Sequence, residues 1–116
     1  MPRYLSLFTN STPPSGPPSA EHMAAMGKLI EQQMKAGKLV TTGGLKKRSS
    51  DAFIVRKEAD HFSIDHKPTA DWMLAGGWAI VQGETREVVI EDLKLFLNLV
   101  GDGRCEVIEI FGGPQS

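Results

Sequence analysis

Residues 62–81 read FSIDHKPTADWMLAGGWAIV, and the way this stretch divides decides the fold. Phe62 and Ile64 alternate with Ser63 and Asp65, the period of two that a strand requires. Pro68, which has no N–H to give a ladder, then stops the run. After Gly76 and Gly77, residues 78–81 have the aromatic and β-branched content of a buried strand. The stretch is therefore strand, loop, strand, and an acidic side chain stands at a strand end facing a loop that can carry a ligand.

Working outward toward the C-terminus, Thr85 caps a helix over roughly 86–100, with Val89, Leu93, Phe96, Leu97 and Val100 as its buried stripe. Val88, Ile90, Leu95 and Leu99 widen that stripe beyond what a one-sided helix needs, which predicts contact with a second chain or with the chain's own tail. Gly101, Asp102 and Gly103 end the helix, and residues 105–111 (CEVIEIF) form the last strand.

Toward the N-terminus, residues 52–57 and 61–65 alternate as the arms of a hairpin joined by Glu58, Ala59 and Asp60. Residues 39–41 form a short strand, which Thr42, Gly43, Gly44 and Leu45 turn into a basic segment, Lys46, Lys47 and Arg48. Before it lies an amphipathic helix with Met23, Met26, Leu29, Ile30, Gln33 and Met34 at helical spacing; it starts after Pro18 with Ser19 as N-cap and ends at Gly37. Its methionines read either as a core stripe or as an adaptable ligand surface. The Pro-rich stretch NSTPPSGPP (10–18) is a surface loop, and residues 3–9 (RYLSLFT) open the chain as a strand apolar on both faces, as expected of an inner strand covered on both sides.

The order is strand, helix, strand, hairpin, strand, helix, strand. Two strand-helix-strand units with an inserted hairpin predict an α+β ferredoxin-like sandwich, with both helices on one face of the sheet because each crossover is right-handed. The length of 116 residues fits one domain, residues 1–116. It can bury a real core but has little surplus, so an oligomer that covers a sheet face would help it.

Composition excludes several classes. A formal net charge of −1, with one basic cluster beside two glycines, argues against a nucleic-acid surface, which needs clustered Lys and Arg. No apolar run approaches the ~18 residues that span a bilayer, and no signal-peptide pattern opens the chain, so a cytoplasmic protein with no membrane partner is expected. The single cysteine, Cys105, suits a reducing compartment and has no local base to activate it, so it reads as a strand residue. One cysteine and three scattered histidines offer no metal-ligand spacing, and no cofactor motif is present.

The residues also carry a resemblance. The opening RYLSLFT strand, the Pro-rich loop, AEHMAAMGKLIEQQMKAGKLVTTGGL, a strand ending in Asp65 before Gly76-Gly77, and the terminal GDGRCEVIEIF together resemble the YCII-related, or DGPF-domain, family over nearly the whole chain. The resemblance implies a homodimer forming a dimeric α/β barrel, in which two ferredoxin-like sheets face one another with the helices outside. It also implies binding or transformation of a small molecule, with an acidic residue and sometimes a histidine as active-site groups. Where the family has Asp-Gly-Pro-Phe, this chain has Asp65, His66, Lys67 and Pro68, so only the aspartate matches. The resemblance therefore carries the fold more firmly than the chemistry.

Asp65 reads in two ways: as a general acid or base beside an apolar pocket, or as a turn residue accepting backbone N–H bonds before Pro68. His61 shares its strand face, but four residues at ~3.3 Å each put them about 13 Å apart. His66 reaches Asp65 only if the chain leaves its pleat there. His22, in the first turn of the first helix, is a candidate proton partner as a neutral imidazole. Taken singly, each histidine also fits a solvated surface position. Trp72, in the loop among polar residues, and Lys67 are the candidate ligand contacts, while Trp78 suits the core or a dimer interface. The expectation is a small-molecule enzyme or binding protein using Asp65 with His66 or His22; the alternative is a non-catalytic dimerisation or partner-binding module.

Overall fold

The two helices begin where their caps place them. Ser19 Oγ accepts the His22 N–H at 3.1 Å and Thr85 Oγ1 accepts the Val88 N–H at 3.2 Å, each satisfying one of the orphan donors of a first helical turn. The first helix, α1 (Ala20–Lys35), is closed by Gly37, whose φ of +73° is the left-handed conformation a helix end uses. The second, α2 (Arg86–Val100), ends at Gly101 with φ +95°. The computed structural model describes residues 1–11, 18–46 and 52–111, apart from the side chain of Trp72. The centre of the Pro-rich loop, and Lys47 and Arg48 of the basic cluster, lie outside the described residues.

The strands are β1 (Arg3–Asn10), β2 (Leu39–Gly44), β3 (Ile54–Glu58), β4 (His61–Asp65), β5 (Gly77–Gln82) and β6 (Gly103–Glu109). Four of them form an antiparallel sheet in the order β2-β5-β1-β6, and β3 pairs with β4 in a separate two-stranded sheet. The protein is thus α+β, with two helices and antiparallel sheets, compatible with a ferredoxin-like fold. Among the described residues no helix is long and apolar enough to cross a membrane.

Three strands have an end that differs by two residues or more from the one read in the sequence, each because pairing overrides local preference. β2 continues through Thr42, Gly43 and Gly44, expected to be a turn, because β5 supplies partners as far as Gly77. β6 starts at Gly103 and stops at Glu109, because β1 pairs it from Asn10 back to Tyr4; Phe111 is left exposed. The hairpin arm starts at Ile54 and turns through Ala59 and Asp60 alone, with Ala59 at φ 52°. Inside the loop that follows, Asp71–Leu74 makes one turn of 3₁₀ helix.

The register sorts the side chains of the main sheet by size. Directly opposed residues of an antiparallel pair share a face, so Leu5 shares one with Ile80 and Ile108, and Leu7 shares it with Trp78. The Trp78 ring lies over Gly43, where a Cβ would come within 2.7 Å of its Nε1. The other face carries Ser6, Phe8, Ala79 and Gly77, and this is the face the helices cover, since the Phe8 and Phe96 rings meet edge to face at 5.2 Å. Leu5, Leu7, Trp78 and Ile80 of the central strands therefore point away from the helices, while Phe8 and Val81 point toward them. Among the described residues only Ala75 and Val89 are buried hydrophobic groups, and the molecule is 18 Å thick along its shortest axis, a sheet with both described helices on one face.

Candidate functional site

The glycine, alanine and serine of the sheet floor leave space beneath the two helices between Phe8 and Val81, and a cavity of about 550 Å³ results, within the range of small-molecule sites. Met26, Leu29 and Ile30 of α1 form one wall, and Leu93, Phe96 and Val100 of α2 the other. Ser6, Phe8, Gly77, Ala79 and Val81 belong to the floor. The lining is predominantly apolar, with its charged groups at one place, where Lys38 follows α1 and Asp92 projects from α2.

Lys38 Nζ lies 3.2 Å from Asp92 Oδ1. The two side chains differ in setting: Asp92 is 15% exposed and Lys38 is 40% exposed. The second carboxylate oxygen, Asp92 Oδ2, is buried and has no hydrogen-bond partner among the described residues. A buried acceptor left unpaired is uncommon in folded proteins and calls for a donor. Gln33, also in the lining, adds an amide.

The residues picked out in the sequence lie elsewhere. Asp65 is half-buried at the end of β4, and its Oδ1 accepts the Lys67 N–H at 3.0 Å. This is the turn role, in which the side chain mimics a backbone carbonyl and leads the chain into Pro68. The strand ends at Asp65, as a dyad with His66 would need, yet no hydrogen bond joins the two side chains, and His66 is exposed. Lys67 contributes its backbone to the bend and exposes its side chain. His22 is half-buried in the first turn of α1, its N–H on the Ser19 cap, and bonds to neither Asp65 nor His66. None of these four is among the residues that line the helix-sheet cavity. Trp72 falls within the 3₁₀ turn; its side chain lies outside those described.

Trp78 stands half-buried on the sheet face opposite the helices, beside Leu7. Cys105 is half-buried on β6, opposite Phe8; burial pushes its thiol pKa up, and the Ser6 hydroxyl offsets part of that rise. Among the described residues, no group of three or more His, Cys, Asp and Glu side chains comes together as a metal site would require.

Sequence reading passed over Lys38, Asp92 and the small residues of the floor. The alternation Leu5, Ser6, Leu7 against Trp78, Ala79, Ile80 contains the information that one sheet face is large and the other small. No family model and no curated protein matches the chain.

Proposed function

We propose that the chain works as a homodimeric binding protein, two copies meeting sheet to sheet in the barrel-like arrangement that the resemblance to the YCII-related family implies, with the β3-β4 hairpin as an insertion that flanks the junction. The observation that carries this reading is the sorting of the sheet: Leu5, Leu7, Trp78, Ile80 and Ile108 lie on the face that no helix covers, and Ile108 is 68% exposed. Burying such a face removes apolar area from water at roughly 25 cal/mol per Å². The hairpin supports the same reading, because Phe62 and Ile64 share a face with Lys57 and Val55, and Phe62 is 64% exposed. Light scattering at micromolar concentration is expected to give twice the chain mass of 12.7 kDa. A mass of one chain would overturn the proposal.

Acid/base chemistry on a small molecule beside Asp65 is the second reading. It is favoured by the position of Asp65, half-buried at a strand end next to the loop that carries Trp72. The hydrogen bond its Oδ1 accepts from the Lys67 amide supports work in the bend, and on that ground we favour binding over proton transfer at this residue. Asp65→Asn separates the two, since the amide oxygen can still accept the Lys67 N–H but cannot transfer a proton. We expect unchanged folding and unchanged ligand binding in this variant; turnover of a small molecule by the parent chain that disappears in Asp65→Asn would establish the acid/base role.

A further inference from the structure

We infer that the cleft between α1, α2 and the sheet is a binding site, separate from the sheet-to-sheet junction, for a neutral elongated apolar molecule ending in a hydroxyl group. The length follows from the floor: Ser6 and Asn10 both line the cavity, and four residues of strand span about 13 Å. The walls select an apolar body, because Met26, Leu29, Ile30, Leu93 and Phe96 line the cavity above a floor in which Ser6, Gly77 and Ala79 leave room beside Phe8 and Val81.

The head group follows from the Lys38–Asp92 pair. An ammonium donor and a carboxylate acceptor stand side by side in the lining, one charge of each sign. A ligand carboxylate would compete with Asp92 for the ammonium and meet its charge; a ligand amine would meet Lys38 in the same way. A hydroxyl both donates and accepts, so it can accept a hydrogen bond from the Lys38 ammonium while donating one to the Asp92 carboxylate, one oxygen of which has no partner among the described residues.

The test is displacement of the neutral fluorophore N-phenyl-1-naphthylamine from the full chain by 1-decanol, with decanoate and decylamine as charged counterparts. The alcohol is expected to compete about tenfold better than either. Ala79→Leu adds bulk to the floor on the helix side and should weaken decanol binding about tenfold or more. Gly77→Val does the same toward the other end of the cleft, where an added Cβ meets only the Gly43 carbonyl oxygen at 3.6 Å; circular dichroism shows which of these variants is folded. Replacing the pair together, Lys38→Met with Asp92→Leu, leaves no unpaired buried charge and should keep fluorophore binding while abolishing the preference for alcohol. Absence of fluorophore binding, equal binding by decanol and decanoate, or decanol binding unchanged in the folded floor variants would each overturn the inference. The last result would place the ligand elsewhere, and none of these results bears on whether the chain dimerises.

Discussion

Cys105 shows how a single side chain reports on the packing of the helix-facing sheet surface. It stands opposite Phe8 in the strand register, with its thiol beside Ser6, and burial disfavours the thiolate more than the Ser6 hydroxyl favours it, so the folded pKa lies above the ordinary 9.0. A thiol whose pKa is raised by folding contributes stability below its unfolded pKa, and that contribution is lost as pH climbs through the folded value. The window therefore opens near pH 9 and extends above it. Unfolding midpoints in urea should fall with pH in this range, and Cys105→Ala should flatten the part of the slope that belongs to this group. Alkylation by iodoacetamide provides an independent check: the thiolate is the reactive species, so the rate-pH midpoint in the folded protein should sit above that in urea. A midpoint at or below the unfolded one would show that the Ser6 hydrogen bond outweighs burial.

At the scale of the elements, the helices were the most legible part of the sequence, because their punctuation is local. Ser19, Thr85, Gly37 and Gly101 act through bonds or torsions within a few residues of themselves. Thr85→Ala should accordingly destabilise the protein by about 1 kcal/mol, measured as a shift in the urea midpoint at unchanged slope. Gly27 is the converse case: it stands inside α1 with open space where a Cβ would go, and Gly27→Ala should stabilise by about 0.5–1 kcal/mol. Strand ends were less legible, since Thr42, Gly43 and Gly44 read as a turn by composition and become strand only because β5 runs alongside. The role of Asp65 remained open between turn and pocket, because the same carboxylate serves both; the neighbouring Lys67 amide resolves its hydrogen bonding. The cavity was hidden for a different reason. Alternation places Ser6, Gly77 and Ala79 on one face and Leu5, Leu7, Trp78 and Ile80 on the other, but nothing local says which face receives the helices.

For the whole molecule that choice has a thermodynamic consequence. A chain of 116 residues normally stands only a few kcal/mol above unfolding, and this one turns its larger apolar sheet face away from its own helices. If a second copy supplies the missing layer, folding and association become one equilibrium, and the melting temperature must depend on protein concentration. A tenfold increase changes the free energy of a two-chain equilibrium by about 1.4 kcal/mol, shared between two protomers, which for domains of this size corresponds to about 2–4 °C in Tm. Leu7→Glu tests the cause, because it sets a carboxylate beside Trp78 on the proposed junction, where covering it by another copy would strip its water. The variant should run at the mass of one chain, melt at a lower temperature, and lose the concentration dependence. A Tm that is flat in the parent chain over a hundredfold range, with Leu7→Glu melting at the same temperature, would mean that the monomer tolerates its bare sheet and that the large side chains on that face serve some other partner.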